Sequence, residues 1–100
     1  MDLQTITAKL VAIHRDYQDA GGYDDANAVT PTTCPLDDLN GFDSDFIPEI
    51  VRRLAKDLDV PFSPGTKVRN IYVSEDGQRK LKIEEIGRRF LKKYVPASKV

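Results

Sequence analysis

One hundred residues, 40% of them hydrophobic, supply one modest core, and a second domain is not expected. Fifteen basic and sixteen acidic residues nearly cancel, which speaks against a chain built to coat nucleic acid phosphates. The single cysteine, Cys34, excludes an intrachain disulfide and a multi-cysteine zinc site, and fits a reducing compartment, so a cytoplasmic location is expected.

Charge is unevenly spread. Asp24, Asp25, Asp37, Asp38 and Asp43 precede Asp45, whereas Arg79 to Lys93 is densely basic, so an electrostatically polarised molecule is expected. The start MDLQTITAKL lacks the basic opening and apolar core of a signal peptide, and no apolar run reaches the length of a bilayer. No membrane association is expected.

In chain order, Leu3, Ile6, Leu10, Ile13 and Tyr17 recur at three- and four-residue steps and predict a helix over 2–18, with Asp2 at its positive end and Gly21-Gly22 as its stop. His14 lies beside that stripe with no neighbouring ligand set, and reads as a packed or partly exposed structural residue. Residues 19–43 carry Gly21, Gly22, Pro31, Pro35, Asn40 and Gly41 and read as a long loop, a length that points to function or to a short helical turn within it. Cys34 reads as a small loop or core residue rather than a reactive thiol.

A second helix is predicted from Ser44 or Asp45, because Pro48 is tolerated only in a first turn. Ile47, Ile50, Val51, Leu54 and Leu58 form its apolar face, and Glu49, Arg52, Arg53, Lys56 and Asp57 point elsewhere. Phe46 can turn into the core or stay at the surface beside Ser44. Pro61, Pro64 and Gly65 end this helix. The segment KVRNIYV then has two readings: a strand turned back by Asp76-Gly77 onto Arg79 to Ile83, or a short helical turn near Val68 to Ile71 followed by an extended connection. A last helix carries Ile83, Ile86, Phe90, Leu91 and Tyr94 at helical spacing, with Glu84 and Glu85 in its first turn and Lys92 and Lys93 at its end. Pro96 terminates it, and 95–100 is expected to be a flexible tail.

The residues offer little for catalysis. Ser44 has no evident general base, so no enzyme activity is expected. Asp37, Asp38, Asn40, Asp43 and Asp45 lack the ordered spacing, glycine and terminal glutamate of a calcium loop, so no metal site is expected.

Gly41-Phe42-Asp43-Ser44 at the entrance of an apolar helix, with Glu49, Ile50, Leu54 and Leu58 following, resembles the acyl carrier protein family. The order of elements extends the likeness over most of the chain: an amphipathic first helix, a long first loop, PLDDL before GFDS, an irregular region and a final helix. The resemblance implies one all-α domain over 1–100, a small four-helix acyl-carrier-like bundle with a long first loop and an irregular, partly extended third segment. It implies a 4'-phosphopantetheine arm, delivered from coenzyme A to Ser44 by a phosphopantetheinyl transferase, with Asp43 in the recognition motif. The arm's thiol would hold an acyl or related group as a thioester for acyl-transferring or acyl-modifying enzymes of fatty acid or secondary metabolite biosynthesis, the carrier being a monomer that catalyses nothing itself.

Asp45 puts a carboxylate where the family usually has an apolar residue, and Arg52 and Arg53 replace acidic or apolar character on the recognition helix. Asp45, Phe46, Glu49, Arg52 and Arg53 are therefore expected to face partners different from the usual ones. In the alternative, Ser44 is an unmodified helix cap and the chain is a carrier-like interaction domain that binds a protein through its Arg52/Arg53 edge. A nucleic acid binder using Arg88, Arg89, Lys92 and Lys93 is disfavoured for want of a reading motif.

Overall fold

The computed structural model describes residues 1–62, 65 and 68–96. Four α-helices follow one another in it: α1 (Leu3–Ala20), α2 (Pro35–Asp38), α3 (Ile47–Asp57) and α4 (Ile83–Tyr94). Among the described residues there is no strand, so the fold is a small all-α one, and no helix is long and apolar enough to cross a membrane.

α1 starts where Asp2 accepts a hydrogen bond from Thr5 N at 2.8 Å, occupying one of the donors that a helix start leaves open. It stops at the predicted glycines. Gly22 takes a φ of +79°, and Tyr23 N reaches back to Gln18 O at 3.0 Å. Its stripe of Ile6, Leu10 and Ile13 is buried, and packs chiefly against α4 and also against α3. The approach to α4 is close because Gly87 has no side chain: a Cβ there would lie 3.1 Å from Thr7 Oγ1 and 3.3 Å from Leu3 Cδ1.

Residues 19–43 are not wholly loop. A 3-10 turn forms at Ala26–Ala28, and α2 is one helical turn with Pro35 in its first position, where the missing N–H breaks no bond. Asp38 stabilises that turn by accepting from Cys34 N at 2.8 Å, and burial raises the Cys34 thiol pKa, which suits an inert thiol.

α3 begins at Ile47, two or three residues later than the predicted Ser44 or Asp45, after a 3-10 turn at Ser44–Phe46, with Pro48 in its first turn. Ile47, Ile50, Val51 and Leu54 are buried, and Asp59 closes the helix at a φ of 56°, a conformation that Asp tolerates better than most residues. Of the expected stops beyond it, Pro64 lies outside the described residues.

Neither reading of residues 68–83 holds in full. Only one antiparallel bridge forms, Val73 with Lys80, across a turn in which Gly77 has a φ of +74°. Val68 to Ile71 is not a helical turn. A strand needs alternation, and the adjacent residues Ile71 and Tyr72 are both buried, so the backbone turns at that point to send both side chains inward. α4 then starts with Glu85 Oε1 accepting from Lys82 N at 3.1 Å, and Ile83, Ile86 and Phe90 complete the core. Val95, placed in the expected tail, is buried; residues 97–100 lie outside the described residues.

The halves of opposite charge meet. Lys80 pairs with Asp37 at 2.8 Å, and the Asp37 carboxyl is held below its ordinary range mainly by that hydrogen bond.

His14 is fully buried, with both ring nitrogens engaged: Nδ1 lies 2.7 Å from Leu10 O and Nε2 2.8 Å from the Tyr72 hydroxyl. A carbonyl can only accept, so Nδ1 carries the proton, and Nε2 accepts from Tyr72. Burial pushes the His14 pKa down from 6.5 to about 4. The unfolded chain therefore takes up a proton between these values that the folded one refuses. Stability is full above pH 6.5 and falls as the pH drops toward 4, by about 3 kcal/mol from this residue. Urea unfolding at pH 7 and pH 5 will show the difference, and His14→Phe will reduce the slope; an unchanged slope in that variant would refute the assignment.

Candidate functional site

The loop that leads into α3 is tied down before it reaches Ser44. Gln18, 2% exposed, donates from Nε2 to Asn40 O at 2.8 Å and to Asp25 Oδ1 at 2.9 Å. Asp25 in turn accepts from Asn40 N at 2.9 Å, and these hydrogen bonds, Asn40's first, draw its pKa below the ordinary value. One buried amide thus holds both polar backbone groups of Asn40, directly and through Asp25. Gly41 follows at a φ of +68°, and the Tyr23 hydroxyl fills the place where its Cβ would stand. Close approach and backbone sign both require glycine there.

Beyond Gly41 the chain extends through Asp43, whose φ and ψ are −121° and 145°. Asp43 Oδ1 accepts from Asp45 N at 2.9 Å and caps the 3-10 turn that runs on into α3. The cap is therefore Asp43 and not Ser44. Ser44 is left exposed at the helix entrance, its hydroxyl bonded among the described residues only to Asp43 Oδ1, at a long 3.4 Å.

Phe42 and Phe46 flank this turn. Phe46 combines the two positions open to it: 37% of it is exposed, while its ring lies 5.7 Å from that of Tyr17 and 6.0 Å edge-on from that of Phe42. Phe42 stacks on Tyr72 at 5.7 Å and lies 5.5 Å from His14. An aromatic series therefore runs from the surface beside Ser44 into the His14–Tyr72 hydrogen bond.

The remaining candidate residues separate. Asp45 and Glu49 are exposed, and Glu49 accepts a hydrogen bond from the Tyr17 hydroxyl, whose pKa is pushed up to about 12 by burial and by that carboxylate. Arg53 turns to α1, with Nη2 2.7 Å from Asp16 and Nε 3.8 Å from Asp57. Arg52 lies over the Phe62 ring at 5.5 Å. Consecutive residues of a helix do not share a face, and these two arginines do not form one edge. Ser44, Asp43, Asp45 and Phe46 are together; Glu49 and Arg53 form a neighbouring patch with Asp16 and Tyr17; Arg52 stands apart.

Gln18, Tyr23 and Asp25 shape the site and carry no local signal of it: a buried Gln and an exposed Gln look alike in one sequence. Gly41 is the exception, being a glycine directly before the turn. Among the described residues no group of three or more His, Cys, Asp or Glu is placed to hold a metal ion.

Replacing Gln18 by Leu removes both hydrogen bonds and leaves the Asn40 carbonyl short of a donor, for an expected loss of about 1–3 kcal/mol. Gly41→Ala is expected to cost at least about 1 kcal/mol from its φ alone and more from displacing Tyr23. Urea unfolding measures both, and faster hydrogen exchange at Asn40 N in Gln18→Leu localises the effect; a change below about 0.5 kcal/mol in both would show that the loop is not held this way.

No family model, curated protein or solved structure matches this chain, so a functional reading has to rest on the geometry of Ser44 and its loop.

Proposed function

We propose that the chain is a specialised acyl carrier protein, with a 4'-phosphopantetheine arm attached through the Ser44 hydroxyl. The observation that carries this reading is the division of labour at the entrance of α3: Asp43 takes the capping role, and Ser44 is left with an exposed primary hydroxyl that makes one long hydrogen bond, to Asp43 Oδ1, among the described residues. A serine kept only as a cap would occupy the position that Asp43 holds.

The residues present fit such a group. The hydroxyl stands where the helix presents its positive end, which favours the negative charge of a phosphodiester. The exposed part of Phe46 gives the stem of the arm an apolar surface to lie against. When bound, the arm supplies a thiol that holds the acyl group as a thioester. The chain's own task is positional: Asp43 fixes the turn, Gln18 and Asp25 fix the loop ahead of it, and the hydroxyl is presented in one orientation. Asp43 serves recognition as well, and Asp45 requires a transferase that accepts a carboxylate beside the reacting serine. Glu49 and Arg53, beside Phe46, are the adjoining surface for acyl-transferring or acyl-modifying partners.

Intact-mass measurement tests the proposal. Incubation with coenzyme A and a permissive transferase is expected to add one phosphopantetheine to the wild type and nothing to Ser44→Ala. No addition with several transferases, including that of the source organism, would overturn it.

The exposure of Phe46 favours a second reading, a cofactor-free domain that binds a protein through this face. In that case Phe46→Ser and Arg53→Glu weaken capture of the partner at least tenfold by biolayer interferometry and Ser44→Ala leaves it unchanged, a pattern opposite to that expected of a carrier.

A further inference from the structure

The segment 68–77 and the second half of α4 line an open recess of about 640 Å³. Arg69, Arg89 and Lys93 line it, against one carboxylate, Glu75. Elsewhere three cations are paired across the fold, Arg53 with Asp16, Arg79 with Glu85 and Lys80 with Asp37, and the part-buried Arg15 binds the Val29 carbonyl. Around this recess none of the four charged side chains has an ion pair among the described residues.

Arg89 is the informative member. It is partly buried, and its Nη1 donates to the carbonyls of Asn70, at 3.1 Å, and Val73. Carbonyls satisfy donors and bring no countercharge, and Arg89 Nε is buried with no acceptor at all, the one such side-chain atom found among the described residues. A guanidinium withdrawn from water without an anion is costly, and a fold that needed it only to tie two carbonyls would do so at less cost with a neutral donor. The walls are already rigid: Arg69 N donates to the Tyr94 hydroxyl at 3.1 Å, and Asn70 Oδ1 accepts from Tyr72 N at 2.9 Å. A ligand entering here meets one guanidinium, that of Arg89, already in position.

We infer that this recess is a binding site for a phosphate group, held by the side chains of Arg69 and Lys93 over the fixed guanidinium of Arg89. A compact oxyanion with several acceptor oxygens suits a forked guanidinium and a mobile ammonium together, and it supplies the countercharge that three cations lack. The inference stands apart from the carrier proposal, since it uses none of the residues around Ser44.

The test is a titration of the full, isotope-labelled chain with inorganic phosphate, followed by backbone amide NMR at constant ionic strength balanced with chloride. Saturable shifts confined to 69–77 and 89–93 are expected. Arg69→Gln/Lys93→Gln, which alters only exposed side chains and leaves Arg89 and its carbonyls alone, is expected to weaken binding at least tenfold while keeping the rest of the spectrum. A parallel titration with ADP identifies the source: tighter binding than phosphate means that the group arrives on a larger molecule, equal binding that free phosphate is the ligand. Shifts that do not saturate, that spread equally to Lys9 and Lys56, or that survive the double substitution would overturn the inference.

Discussion

The hydrogen bond from the Tyr72 hydroxyl to His14 Nε2 joins two residues 58 positions apart, and much of the molecule is arranged so that it can exist. A histidine with no exposed surface must stay neutral, and each of its nitrogens needs a partner of the right kind. Leu10 provides the acceptor from within α1; the donor has to come from elsewhere. That requirement brings residues 71–72 into the core and breaks the alternation that would have made the segment a strand. It also places the Tyr72 ring under Phe42, so that the turn carrying Ser44 rests on an aromatic floor with one orientation.

The same segment has a second dependency on its other side. Arg89 holds the carbonyls of Asn70 and Val73, so the short run between them is fixed from both directions, by a neutral pair inside and by a cation outside. The Ser44 turn rests on Tyr72 through Phe42, and the residues on either side of the Ile71-Tyr72 pair, Asn70 and Val73, line the basic recess.

Sequence patterns made the three long helices legible because each repeats its apolar residues at the helical period: Ile6, Leu10 and Ile13; Ile50 and Leu54; Ile83, Ile86 and Phe90. Pro48 marked where α3 could begin, and Gly21-Gly22 where α1 had to stop. The short α2 was hidden in a proline- and aspartate-rich stretch, since one turn is too brief to show a period. The cap at Asp43 rather than Ser44 was a choice between neighbours of equal propensity, and in the fold it is Asp43 that takes the extended backbone of a cap and accepts from Asp45 N. The ties made by Gln18, Asp25, His14 and Tyr72 span between 7 and 58 residues and join polar side chains to groups that no local window contains. They decide the shape of the candidate site, and only the folded chain displays them.

The close contact of α1 with α4 at Gly87 has one more consequence. Two helices that meet across a missing methyl have no slack at that level, and the Leu3–Thr7 turn of α1 is pinned there. The opposite end of α1 is tied through side chains, with His14 accepting from the Tyr72 hydroxyl and Gln18 donating to Asn40 O, and it is the end on which Ser44 stands.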